Sequence, residues 1–182
     1  MPVTAMAAVP PAAEADAGTR LVEQARGGDR AAFAELYRRY ARTIHGILLS
    51  RIPRIEVDDL VQDVFLAALE QLPGLREPAA FAGWIAAIAR NRATDYLRRA
   101  PRVTELPPDL ASTDADRTEA VLVLAVIRSL PDAYRETLTL RLVEGMTGPE
   151  IAASTGLTEG SVRVNLHRGM KQLRERLERR TL

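Results

Sequence analysis

The stretch Thr147–Leu177, TGPEIAASTGLTEGSVRVNLHRGMKQLRERL, reads as two helices joined by a tight turn. Thr147 is placed to cap the first helix, and Glu150 follows three residues later to bond back, a reciprocal pair that satisfies two free amide donors. Pro149 fits that first turn, where its missing N–H has no bond to make. Ile151 and Ala152 give the short helix its apolar face, and Thr155-Gly156 stops it, because glycine enters left-handed backbone freely. Leu157 plugs the corner and Thr158 is placed to cap the second helix. Val162, Leu166, Met170, Leu173 and Leu177 then recur at helical spacing and define one buried stripe. Arg163, His167, Arg168, Lys171 and Arg174 fall off it. The pattern predicts a helix-turn-helix with a basic, exposed face near the start of its second helix. That end meets base edges when such a helix enters a major groove. A plain helical hairpin with a solvated basic face is the competing reading of this stretch alone.

The rest of the chain narrows the choice. Its 182 residues allow one or two small domains, and 47% hydrophobic with 27% charged residues is ordinary for a globular protein. A net charge of +1 supplies no overall basic field, so any nucleic-acid binding must come from local patches. The absence of cysteine excludes disulfides, thiol nucleophiles and cysteine zinc sites. His45 and His167 lie far apart in sequence, which argues against a histidine metal site. No phosphate-cradling glycine loop and no nucleophile beside a base is visible, so neither catalysis, a metal nor a cofactor is expected. No apolar run approaches the roughly 20 residues that span a bilayer. The Ala/Pro-rich residues 1–18 lack the basic start and long apolar segment of a signal peptide and are expected to form a disordered tail, in a cytoplasmic protein.

Helical periodicity dominates the remainder. Helices are expected over 19–26, 30–51, 56–71, 81–99, 117–130 and 132–144, with turns at Gly27-Gly28-Asp29, Pro53 and Pro73-Gly74. Leu75–Ala80 reads as a loop. Between 101 and 116 the composition changes: Pro107-Pro108 and four acids against Arg102 read as a flexible acidic linker that cannot hold a core. The expectation is therefore an all-α protein of two small helical domains, 19–100 and 117–182. Each has a thin core by surface-to-volume scaling.

Two further stretches carry a resemblance. In Asp58-Asp59-Leu60-Val61-Gln62-Asp63-Val64-Phe65, Asp59, Gln62 and Asp63 share one helical face opposite an apolar one. Phe81-Ala82-Gly83-Trp84-Ile85-Ala86-Ala87-Ile88-Ala89-Arg90-Asn91 runs into Asp95-Tyr96-Leu97-Arg98-Arg99. With Val143–Thr147, Glu150-Ile151-Ala152 and Gly160–Arg163, these resemble a bacterial RNA polymerase sigma factor of the extracytoplasmic-function type in the sigma-70 family. The resemblance covers 21–99, like sigma region 2, and 119–177, like region 4.

The resemblance implies roles position by position. Asp59, Gln62, Asp63 and Phe65 fall where region 2 docks on the clamp of the largest subunit of core RNA polymerase. On physical grounds the three polar residues offer acceptors to a basic partner helix and Phe65 an apolar anchor. A solvated acidic face is the plain alternative. A divalent metal is disfavoured, because one helix face rarely supplies enough oxygens. Arg76, Arg90, Asn91, Arg98 and Arg99 fall where the −10 promoter element is opened, and the loop at 75–80 matches the one that holds an extruded base. A protein that melts DNA without ATP must capture bases in pockets and hold a single strand on a basic face. Trp84 is read as core, since it shares the stripe of Phe81, Ile85 and Ile88. Ala86-Ala87 departs from the family's pattern of an aromatic and a basic residue there. Arg163, Val164, His167, Arg168 and Lys171 fall where the −35 element is read. The resemblance thus implies a non-enzymatic sigma factor directing promoter recognition, melting and initiation, with core polymerase, promoter DNA and an anti-sigma factor as partners. The free chain is expected to be compact, with Glu105–Asp116 near a basic helix. The alternative is a helix-turn-helix regulator that acts without replacing the sigma subunit, as a homodimer on a palindromic site.

Overall fold

Asp29 makes the first corner: its carboxylate accepts hydrogen bonds from the amides of Ala31 (2.8 Å) and Ala32 (3.2 Å), two donors that the next helix leaves unpaired. The computed structural model describes residues 11–99 and 115–181. Among them are eight α-helices and no strand. Four form an N-terminal bundle: α1 (Pro11–Arg26), α2 (Arg30–Leu49), α3 (Val57–Gln71) and α4 (Phe81–Arg99). Four form a second unit: α5 (Ala115–Arg128), α6 (Asp132–Leu142), α7 (Gly148–Thr155) and α8 (Glu159–Thr181). Short 3-10 turns at Arg54–Glu56, Leu72–Gly74 and Pro78–Ala80 carry the chain around the prolines.

One apolar cluster fills the first bundle. Leu36, Ile44, Ile47 and Leu48 of α2 meet Val57 and Val64 of α3 and Phe81 and Ile85 of α4, all at most 1% exposed. Phe81 lies against the rings of Tyr40 (centroids 5.2 Å apart) and Trp84 (5.6 Å), in the tilted and edge-on geometries that aromatic quadrupoles favour. Trp84 is thus packed on the core, as its stripe implies. The second unit has two smaller clusters. One joins α5, α6 and α8 around Ile127, Leu138 and Leu173; the other joins α6, α7 and α8 around Leu140, Ile151 and Val162.

Several expected boundaries move. The helix expected from Thr19 begins at Pro11, so 11–18 are helical and only 1–10 of the expected tail lie outside the described residues. The fifth helix starts at Ala115 rather than 117. Most of the expected linker, including the bulk of Glu105–Asp116, lies outside the described residues. The sixth helix, expected to run to Glu144, ends at Leu142, and Gly145 makes the turn three residues on, at φ +66°.

The two units pack directly on each other, α6 and α7 against α2 and α4. Two close approaches make this possible. A methyl group on Gly46 of α2 would stand 2.6 Å from Leu140 and 2.9 Å from Glu144 across the seam. Gly156, at φ +77°, lets the turn of the helix-turn-helix approach Gly83 of α4, and a Cβ there would lie 2.9 Å from the Gly83 Cα.

Candidate functional site

Three faces carry the residues singled out by sequence. The first is α3. Asp59, Gln62 and Asp63 are exposed on one face, because positions three and four apart fall on one side of a helix. Phe65 does not join them. It is 4% exposed, with its ring 4.5 Å from Tyr37 and 6.4 Å from Phe33, so it belongs to the core and offers no anchor to a partner. The apolar residues that continue the acidic row are Leu66 and Leu69, 59% and 48% exposed. Leu66 stands three residues past Asp63 and seven past Asp59, so the helical repeat already places it there. Leu69, three residues past Leu66, turns outward for the same reason.

The second face is on α4 and the segment before it. Arg76, Asn91, Arg98 and Arg99 are exposed, and Arg98 pairs with Asp95 one turn earlier at 2.7 Å. Arg26 of α1 donates to the Leu75 carbonyl at 3.2 Å, tying the approach to this loop to the bundle. Arg90 is different. Its guanidinium reaches into the second unit and makes a two-pronged bond to Glu136 of α6, Nε to Oε2 at 3.0 Å and Nη2 to Oε1 at 2.7 Å. In this arrangement Arg90 does not lie on an open strand-binding surface.

Glu136 is the functional candidate that sequence reading missed. It is 5% exposed, and Arg51, in the turn just past α2, adds a third contact at 3.4 Å while holding Asp132 at 2.7 Å. A buried carboxylate is costly unless paired, and here two arginines of the other unit pair it. The hydrogen bond from Arg51 holds the Asp132 carboxyl below its usual range. Nearby, Arg128 of α5 donates to the carbonyls of Leu49 (3.1 Å) and Ile52 (2.9 Å), which the end of α2 leaves without helical partners.

His45 completes the seam. Its Nδ1 lies 2.7 Å from Oε1 of Glu144, in the turn that follows α6. The bond to Glu144 raises the imidazole above its ordinary 6.5, burial opposes, Asp58 assists and Arg54 opposes. The charged form is therefore favoured in the packed state. Its contribution is fully present below 6.5 and is lost as pH rises through the raised value. Asp132 acts in the opposite sense and weakens the seam only in acid, as pH falls through its lowered value. The melting temperature is accordingly expected to rise on going from about pH 8 to about pH 6, and His45→Gln to flatten that rise. Differential scanning fluorimetry across that range reads both; an unchanged slope in the variant contradicts the assignment.

The third face is α8. The capping box forms as read: Glu150 N–H donates to the Thr147 hydroxyl at 3.4 Å, and the Glu150 carboxylate accepts from Thr147 N–H at 2.7 Å. The bonds that the Thr147 amide and hydroxyl (2.8 Å) donate to it hold the Glu150 carboxyl below its usual range. Thr158 caps α8 through the Ser161 amide at 3.1 Å. Val162 (0%) and Leu173 (3%) are buried, and Leu166, Met170 and Leu177 pack half-buried beside them. Arg163, Val164, His167, Arg168 and Lys171 are left exposed on the opposite side. Arg163, His167 and Lys171 run in one row at i, i+4 and i+8, with Val164 and Arg168 beside them. The caps, the buried stripe and the exposure of these five side chains are as the spacing predicts.

Among the described residues no helix is long and apolar enough to cross a membrane, and no group of three or more histidine or acidic side chains is placed to hold a metal.

The chain matches the family description "Sigma-70 region 2" over 36–103 and "Sigma-70, region 4" over 120–173. It is 31% identical over 165 residues to RNA polymerase sigma factor CarQ of Myxococcus xanthus, covering 86% of this chain and 95% of that one. It is 30% identical to the ECF RNA polymerase sigma-E factor of Escherichia coli K12, covering 87% and 93%. Its fold is similar to that of CnrH solved in complex with the cytosolic domain of CnrY. That likeness has a TM-score of 0.63 at 29% identity, covering 90% of this chain and 98% of that one.

Proposed function

The chain belongs to the sigma-70 family, in its extracytoplasmic-function group, and we propose that its three exposed faces divide the work of that group among named residues. The domain covering 19–100 docks core RNA polymerase through Asp59, Gln62 and Asp63, with Leu66 in place of Phe65 as the apolar contact. A charged rim beside an exposed leucine suits a basic partner helix. The same domain holds the opened −10 strand on Arg76, Arg90, Asn91, Arg98 and Arg99. The domain covering 117–182 reads the −35 element through Arg163, Val164, His167 and Arg168, with Lys171 on phosphate. The chain is a specificity subunit of a cytoplasmic polymerase, and the chemistry of initiation is the polymerase's own. CnrH is solved with the cytosolic domain of CnrY, and this chain takes an inhibitory protein partner, an anti-sigma factor, in a like manner.

The observation that carries this reading is the basic row of α8 on a helix-turn-helix that shares its chain with the acidic, leucine-bearing face of α3. Arg168 is placed for a bidentate bond to guanine, worth about 1–3 kcal/mol of discrimination. Reconstituted holoenzyme is expected to select a promoter from a randomised library. Arg168→Ala is then expected to relax selection about tenfold or more at one position of the upstream element and leave the downstream element unchanged. A change spread evenly over both elements, or no selected promoter with active core polymerase, contradicts the assignment.

A further inference from the structure

The seam between the two domains is more than a resting contact. Glu136 is held by a guanidinium fork, and the same fork geometry serves arginine for phosphate. The carboxylate occupies the position on Arg90 that a nucleic-acid phosphate would take. We infer that the free chain is locked shut by this substitution: Glu136 of the −35 domain stands in for DNA on Arg90 of the −10 domain, so that domain closure and capture of the opened strand compete for one side chain. The inference rests on the proposed role of Arg90 as a strand contact.

The construction of the seam supports a reversible lock rather than a permanent core. Beside the apolar contacts of Leu140 on Gly46 and Met146 on Thr43, it carries ion pairs and bonds to carbonyls: Arg90 and Arg51 on Glu136, Arg51 on Asp132, Arg128 on Leu49 and Ile52, and His45 on Glu144. Each of these polar groups regains water when the seam opens, which lowers the cost of opening. Polar contacts of this kind mark interfaces between domains that move relative to one another. The fit is also close, since Gly46 and Gly156 each leave no room for a methyl group. Two exposed surfaces placed together by chance would not require it.

Closure also leaves the other faces open. Asp59, Gln62 and Asp63 on α3, and Arg163, His167 and Arg168 on α8, stay exposed. A closed chain therefore still presents a docking face to polymerase while its strand-holding arginine is masked. Because coupling between two binding events is reciprocal, whatever opens the seam strengthens strand binding, and single-stranded DNA in turn opens the seam.

The chain has no cysteine, so a donor and an acceptor dye can be placed cleanly on Ala34→Cys of α2 and Glu178→Cys of α8. Distance between the dyes is measured by energy transfer in the full chain, and binding by polarisation of a labelled random-sequence single-stranded oligonucleotide. Three variants separate the possibilities. Glu136→Gln removes the competing charge. Gly46→Leu wedges the seam from the other domain against Leu140 and Glu144, leaving Arg90, Arg51 and Glu136 untouched, and it keeps the test valid should Glu136→Gln fold poorly. Arg90→Gln removes the contested side chain.

All three are expected to lengthen the dye distance. Glu136→Gln and Gly46→Leu are expected to bind the oligonucleotide about 5- to 150-fold more tightly than the parent chain, the usual range for coupled sites. Arg90→Gln is expected to open equally and bind no more tightly than the parent. Saturating oligonucleotide is expected to open the parent chain as well. An unchanged distance in all three variants overturns the lock. Opening in all three with Arg90→Gln gaining affinity as much as Glu136→Gln overturns instead the reading of Arg90 as a strand contact, and the competition with it.

Discussion

Replacing Asp59 and Asp63 together by arginine is expected to abolish holoenzyme assembly, weakening binding to core RNA polymerase by about a hundredfold or more. Both carboxylates are exposed on the outer face of α3, and Leu66 beside them is 59% exposed. Reversing charge against a basic partner replaces attraction by repulsion, and like charges brought together at an interface cost several kcal/mol. Truncation of a central contact alone commonly costs about 2 kcal/mol or more. The fold should survive. Asp58 and Asp59 lie in the first turn of α3, where an acid favours the helix dipole by about 0.3–1 kcal/mol, so only a small fall in melting temperature is expected. Titration of labelled core polymerase, paired with a melting curve, checks both statements. Loss of binding that merely tracks loss of folding would remove the surface from the account. Leu66→Ala is expected to follow in the same direction, and Phe65, being internal, to act through stability alone.

Phe81→Ala is expected to lower the stability of the N-terminal domain by about 3–5 kcal/mol. Phe81 is 1% exposed and opens α4 beneath Tyr40 and Trp84, so its removal leaves a cavity walled by rings that cannot collapse onto a methyl group. The domain is small and its core thin, which makes such a loss a large fraction of the whole. At about 2–4 °C per kcal/mol for a chain of this length, the melting temperature should fall by roughly 10 °C. Chemical denaturation followed by circular dichroism measures it. A loss under about 1 kcal/mol would mean that Phe81 does not organise the packing of α2, α3 and α4.

The comparison of sequence with structure turns on how far each signal reaches along the chain. The helix-turn-helix was legible to the residue because its signals are local. The Thr147–Glu150 capping box, the left-handed Gly156 and the Val162–Leu177 stripe each involve neighbours within one or two turns. The α3 face was nearly so. Its polar half follows from spacing, yet Phe65 and Leu66 are adjacent, and 100° of helix rotation decides which is buried. An aromatic residue drew the anchor role by its type, whereas the register buries Phe65 and leaves Leu66 exposed. Glu136 could not be found this way. In sequence it lies on an amphipathic helix and reads as solvated; only the packing of α6 on α2 and α4 takes it out of water and sets it between Arg51 and Arg90, partners 85 and 46 residues away. Arg90 illustrates the same limit from the other side. Its place on a basic helix was visible, and its engagement by a distant carboxylate was not.

In the proposed reading the two domains divide polymerase docking from duplex reading, and strand opening needs both the chain and core polymerase. Permanganate footprinting of a library-selected promoter, with core polymerase alone, the chain alone and the two together, tests this most directly. The account predicts unpaired thymines around the downstream element only when both proteins are present. Protection of duplex DNA by the chain alone as a homodimer, with no strand opening when core polymerase is added, would contradict it.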